Sequence, residues 1–286
     1  MRFALNIDVR RIITLDCKDE VLMIDRTARI SSSALIEADV EIGPNVIIGD
    51  HARIGSGTRL LANSVVGPWT KLGNNNILHY GAIIGHDPQD FGYNGEETHL
   101  EVGNGNCFRE YVTVHRGNRE GTRTVIGNNN YFMIQSHVAH NCMVGNNIII
   151  AGGSLLAGHV TIDDRAILSG NCVVHQFCHI GTLAMMRGLS RTTRDVPPFC
   201  IMDETHTVRA INLVGLHRNG YDVSRVRAIK NAFRILFRSG SNMRENLERA
   251  ESELEITDDV RYLLDFIRNS KRGVCFGRSK VRADFE

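Results

Sequence analysis

Twelve histidines stand in the 286-residue chain, nine of them between His79 and His179. Imidazole titrates near neutral pH, so histidine is the usual general base and also a common metal ligand. A single histidine on an outer face is more often solvated or packed in an interface. The set His115, His137, His140, His159 and His175 differs, because its members recur at short intervals beside irregular segments. Residue type alone leaves both proton transfer and metal ligation open.

The elements that must position these side chains repeat with a period of six. Ile126, Phe132, Val138, Val144, Ile150, Leu156, Ile162, Leu168, Val174, Ile180 and Met186 are all apolar. An earlier run, Ile24, Ile30, Ile36, Ile42, Ile48, Ile54, Leu60, Val66, Leu72, Leu78 and Ile84, keeps the same period. A helix repeats near 3.6 residues and a half-buried strand at 2. Six is the period of the hexapeptide β-helix, in which short parallel strands stack coil on coil around a narrow apolar prism. The expected fold is an all-β left-handed parallel β-helix over 23–199, followed by a small α-helical domain over 200–286. With three hexads per coil, a residue stacks on the one three hexads further on. His140 then stacks on Gly158, and His159 lies on the next coil.

Gly43, Gly49, Gly55, Gly67, Gly73 and Gly85 follow apolar positions, where a corner needs positive φ or close backbone approach. Asn74 to Asn76 suit corners because asparagine tolerates the left-handed region. The repeat breaks twice, near 86–100 and at 115–124, and both breaks read as excursion loops, a common place for function on a rigid scaffold. Pro197 and Pro198 are expected to stop the coil. Apolar residues at helical spacing predict helices over 221–239, 242–254 and 257–270, with Thr257 as an N-cap and Gly240 as a C-cap residue. Residues from Lys271 show no pattern, and Met1 to Leu22 read as an extension of unknown role.

Formal net charge is +1, which gives no strong field for nucleic acid or membrane surfaces. Seven cysteines without knuckle spacing point to reduced thiols in a cytoplasmic protein. No apolar run approaches the length of a transmembrane helix.

HVAHNC (His137 to Cys142), LAGH (Leu156 to His159), VHQF (Val174 to Phe177), DVPPF (Asp195 to Phe199), Gln89-Asp90 and VHRG (Val114 to Gly117) together resemble the UDP-N-acetylglucosamine O-acyltransferase family of lipid A biosynthesis, from about Met23 to Ser270. The resemblance implies transfer of a 3-hydroxyacyl group from acyl carrier protein to the glucosamine 3-hydroxyl by a homotrimer. No cofactor is implied beyond the donor's own phosphopantetheine, and no metal. It implies His140 as general base and the Gly158 N–H as oxyanion donor. His115, His137, His159, His175, Gln176, Gln89, Asp90 and Arg218 would bind substrate, and Met186 and Gly188 would border the acyl-chain groove. The basic stretch Arg218 to Arg238, with six Arg or Lys and one Asp, suits an acidic carrier protein.

The chain departs from the family at several places. Asn141 stands where an acid is usual, Gly92 replaces a lysine, Val214 replaces an acid, and His217 and Asn219 flank Arg218 where the family is more basic. Three other readings remain beside the main one. They are acyl transfer to a different UDP-amino sugar, a γ-carbonic-anhydrase-like zinc enzyme with His115, His137 and His140 as ligands, and a silent paralogue.

Overall fold

The computed structural model describes residues 24–277. Both apolar runs form short strands, most of them of two residues with the second turned inward, as in Ile47–Ile48, His137–Val138 and Leu155–Leu156. Among the described residues the strands make three sheets of nine, eight and eleven members. Along the coil they are parallel and pair at a spacing of three hexads, as in His137↔Leu155 and Leu155↔Val173. Inward side chains from Ile42 to Met202 fill the prism, and Phe108 stacks on Phe132 at 4.8 Å.

The two excursions change the spacing and so set the register of the site. Ile83 pairs with Thr113 and Thr113 pairs with His137, each partner lying further along the chain than three hexads would place it. The first excursion therefore lengthens its coil by two hexads and the second by one, which keeps the phase of the repeat intact on either side. Strands at the loop roots extend, so that His99–Val102 pairs along its length with Arg123–Ile126. The free loops are shorter than the breaks in the pattern suggest.

Corners are built differently from expectation. Of the six glycines that follow apolar positions, only Gly85 has positive φ. The others serve close approach. A Cβ on Gly49 would lie 2.7 Å from the Pro68 nitrogen of the next coil. The left-handed residue falls elsewhere in each hexad, at Asn45, Asn63, Asn75, Asn129, Asn141 and His159 among others. A buried ladder then ties the coils. Asn76 Oδ1 accepts from the Asn106 backbone N–H at 2.9 Å, Asn106 Oδ1 from Asn130 at 2.9 Å, and Asn130 Oδ1 from Ile148 at 2.8 Å. Each side chain replaces the strand partner that a corner lacks.

The sheet does not end at the prolines. Cys200–Asp203 adds a further parallel strand on Met185–Met186, and Thr207–Ile211 returns antiparallel to it. Helices α1 (Leu213–Arg218), α2 (Val223–Arg238), α3 (Met243–Glu253) and α4 (Asp258–Asn269) follow. Their N-caps are Asn212, Asp222, Asn242 and Thr257, and each side chain accepts from a backbone N–H of the first turn. Gly240, at φ +85°, follows the end of α2. The patternless tail is packed as far as Gly277, because Phe276–Gly277 pairs with Thr207 and Val208, and Cys275 is buried. Met1 to Leu22, read as an extension, lies outside the described residues. Helix α4 is fastened to the coil by Tyr262, whose hydroxyl donates to Asp163 Oδ2 at 2.7 Å.

Candidate active site

His140 follows the strand His137–Val138 at a corner, and its carbonyl accepts from the His159 N–H at 3.0 Å. The expected stacking is close enough to dictate residue type. A Cβ on Gly158 would lie 2.5 Å from His140 Cε1 and 2.7 Å from Nε2, so any side chain there would displace the ring.

The ring's two nitrogens have different surroundings. Nδ1 meets Asn141 Oδ1 at 2.9 Å. Asn141 Oδ1 also accepts from the Asn118 backbone N–H at 3.1 Å. A backbone N–H can only donate, so the amide oxygen, not its nitrogen, must face the ring. In the neutral His140 ring the proton is therefore on Nδ1 and the lone pair on Nε2. The left-handed φ of 60° at Asn141 is a conformation that asparagine tolerates, so the same residue serves the corner and the ring.

Asp90 arrives from the first excursion, with Oδ2 3.7 Å from His140 Nε2. Its Oδ1 accepts from the Gly92 N–H at 2.7 Å and its Oδ2 from Asn118 Nδ2 at 2.6 Å. Those two bonds hold the carboxyl below the usual carboxylate range. Gln89 is exposed beside it. The excursion is pinned by Arg116, a fully buried guanidinium that binds Asp87, donates to Tyr93 Oη at 2.9 Å and lies over the Trp69 ring at 5.2 Å.

Other imidazoles complete the wall. His159 meets His140 edge-on at 5.3 Å and stacks on Phe177 at 4.7 Å. His137 Nδ1 is bonded to Thr113 Oγ1 at 2.7 Å, and His115 meets His137 edge-on at 4.9 Å. Burial lowers the pKa of His159, His137 and His115, with His115 pushed down to about 4 by burial first and then by His137, His86 and His140. His115 Nδ1 has no partner among the described residues. A folded-state pKa below the unfolded value gives stability that is complete above about pH 6.5 and is lost as pH falls toward 4. Thermal melts should therefore fall across that window, and His115→Gln should flatten the fall. An unchanged slope in the variant would contradict the assignment.

His175 lies one coil beyond Ala157, and Arg272 donates to its Nδ1 at 3.3 Å. Gln176 is exposed next to it, and Arg218 is exposed at the end of α1. Met186 does not stand where the family resemblance puts it. It is wholly buried in the prism, in register with Leu168 and Met202, because the period of six turns it inward. It cannot border an outer groove. Gly188 is exposed and continues a column with Gly152 and Gly170, and a Cβ on Gly188 or Gly170 would have 3.5 Å to the carbonyl of the preceding glycine. Asn118 and Thr113 were not singled out from sequence, since their partners stand far along the chain, across the insertions. Among the described residues no three His, Cys, Asp or Glu side chains are arranged to hold a metal within one chain.

Residues 195–275 match the family described as UDP N-acetylglucosamine O-acyltransferase, domain 2, and residues 27–62, 51–86 and 123–158 match the bacterial transferase hexapeptide. An acyl-[acyl-carrier-protein]–UDP-N-acetylglucosamine O-acyltransferase from Thermodesulfovibrio yellowstonii is 41% identical over 254 residues, covering 88% of this chain and 98% of that one. The chain belongs to the UDP-N-acetylglucosamine O-acyltransferase family. A relative of the same name from Syntrophobacter fumaroxidans is 40% identical, covering 88% of this chain and 99% of its own. Among solved structures, the UDP-N-acetylglucosamine acyltransferase of Bacteroides fragilis superposes with a TM-score of 0.85 at 39% identity, covering 88% of this chain and 99% of that chain. The Francisella novicida acyltransferase gives 0.83 at 34%, covering 92% and 99%. The chain is thus an acyltransferase of the left-handed β-helix type, and the hexapeptide match over 123–158 contains His137, His140 and Gly158.

Proposed function

We propose that the protein moves a 3-hydroxyacyl group from acyl carrier protein to the 3-hydroxyl of UDP-N-acetylglucosamine, the opening step of lipid A biosynthesis, with His140 as general base. The observation that carries this is the His140 ring, with Nδ1–H held by Asn141 and Nε2 open between Gly158 and Asp90. Nε2 takes the hydroxyl proton as the sugar oxygen attacks the thioester carbonyl. The tetrahedral oxyanion faces the Gly158 N–H. On collapse the C–S bond breaks, and the departing thiolate takes the proton from the imidazolium to leave as the thiol. Positioned bases of this kind contribute roughly 10²–10⁴-fold and an oxyanion donor roughly 10²–10³-fold. His115, His137, His159, His175, Gln176, Gln89 and Arg218 bind the acceptor and donor.

Partners follow from surface chemistry. Arg227, Lys230 and Arg234 are exposed along α2, whereas Arg225 is engaged by Asp259 at 2.8 Å, so the first three form a face for the acidic carrier protein. Ile47, Leu155 and Val173 are exposed on the outer face of the nine-stranded sheet, in the row that includes His137. Two further copies cover that apolar row in a homotrimer and place the site at a subunit junction. Among the described residues no helix is long and apolar enough to cross a membrane, and six buried free cysteines fit a cytoplasmic protein.

The test is a panel of 3-hydroxyacyl carrier proteins offered with UDP-N-acetylglucosamine to the wild type and to Gly188→Met. The wild type should form acylated nucleotide sugar, and Gly188→Met should shift preference toward shorter chains, because its side chain would lie across the glycine column. Transfer with no donor would refute the function. An unshifted preference would refute the groove.

A further inference from the structure

Asn118 is buried in the second excursion and touches both partners of the His140 ring. Its backbone N–H binds Asn141 Oδ1 at 3.1 Å and its side-chain amide binds Asp90 Oδ2 at 2.6 Å. We propose that Asn118 is a positioning residue of the acyl-transfer site, which fixes Asp90 beside His140 as the counter-charge that the neutral Asn141 cannot supply. This rests on the reading of His140 as the base.

Proton abstraction turns the ring into an imidazolium. On its Nδ1 side stands an amide, which accepts a hydrogen bond but carries no charge. On its Nε2 side stands the Asp90 carboxylate at 3.7 Å. That separation is too long for a hydrogen bond, so the Nε2 lone pair stays open to a hydroxyl, yet it is short enough for charge attraction in a half-enclosed site. The other groups facing the ring do not compete for this role. Burial keeps His137, His115 and His159 toward the neutral form, and Gly158 brings only backbone. Arg119, which binds the Gly92 carbonyl, acts on Asp90 and helps hold it ionised. Hydrogen bonds thus run from His140 through Asn141 and Asn118 to Asp90, whose single negative charge ends 3.7 Å from His140 Nε2, and Asn118 is the link between the two sides of the ring.

A merely structural Asn118 would staple the loops without affecting the charge on the reacting ring. The experiment is steady-state kinetics across pH on the full chain, with Asn118→Ala, Asp90→Asn, Asn141→Asp, His140→Ala and the doubles Asn118→Ala/Asn141→Asp and Asp90→Asn/Asn141→Asp. Asn118→Ala keeps its backbone N–H, so Asn141 stays oriented while Asp90 is loosened. Its kcat should fall about tenfold, with KM for the nucleotide sugar changing less and the acid limb of the pH profile moving to lower pH. Asp90→Asn should lose more, roughly 10²-fold in kcat. Adding Asn141→Asp should restore about tenfold in both backgrounds, since it returns a carboxylate to the ring from the Nδ1 side. Absence of rescue in both backgrounds, or an Asp90→Asn effect confined to KM, would overturn the proposal. Should Asn118→Ala fail to fold, Asn118→Ser takes its place in the series, since its shorter side chain also gives up the bond to Asp90 Oδ2 while keeping a polar group and the backbone N–H. Full activity in His140→Ala would instead sink the base assignment itself. Loss there beside wild-type kcat in Asn118→Ala would sink only this inference.

Discussion

Gly158→Ala is expected to fold normally and to transfer acyl groups about 10²-fold or more slowly, because a misplacement of about 1 Å in a reacting group costs that much. The added methyl would sit 2.5 Å from His140 Cε1, a distance that atoms do not share. The ring must swing away, which breaks its bond to Asn141 and moves Nε2 from the space beside the oxyanion donor. Nothing comparable happens at Gly170, where a methyl has 3.5 Å to the nearest carbonyl, so Gly170→Ala serves as the control for folding. Circular dichroism and thermal melts should match for the two variants while their turnover differs. A Gly158→Ala rate within threefold of wild type would remove the close stacking from the account.

The second large effect is that of His140→Ala. Removing the base should lower kcat by roughly 10²–10⁴-fold with KM for the nucleotide sugar nearly unchanged, since the proton transfer is made only in the transition state. The melting temperature should hardly move, because the side chain lies outside the prism. A fall confined to KM would make His140 a binding residue.

The prism was legible because its signal is dense. A side chain turned inward once per hexad leaves an apolar mark at each strand, from Ile30 to Met186, and the stacking of His140 on Gly158 follows by counting three hexads. The same period should have kept Met186 out of the groove, since a residue in the inward row cannot also face outward. Helices α2, α3 and α4 were legible from apolar spacing and caps, while α1 is too short to show a period. Cys200–Asp203 follows two prolines that halt the regular coil without halting the sheet.

What remained hidden depends on the excursions. Their insertions break the three-hexad rule, so nothing in the string HRGNREGTRT marks Asn118 as the neighbour of both Asp90 and Asn141. Arg116 shares its loop with Arg119 and Arg123, yet it alone of the three is fully buried, and its bonds to Asp87 and Tyr93 fasten the loop that delivers Asp90. Asn141 was visible as a departure from the family. Its orientation was not, because the second donor that fixes it comes from the excursion rather than from a neighbouring coil.

The most direct measurement is the site of acylation on the product. UDP-N-acetylglucosamine and a 3-hydroxyacyl carrier protein are incubated with wild type and His140→Ala, and the nucleotide sugar is examined by NMR. An ester at the 3-hydroxyl is expected, formed by the wild type and nearly absent with the variant. Acyl carried elsewhere on the sugar, or no acylated nucleotide sugar from a folded wild type, would contradict it.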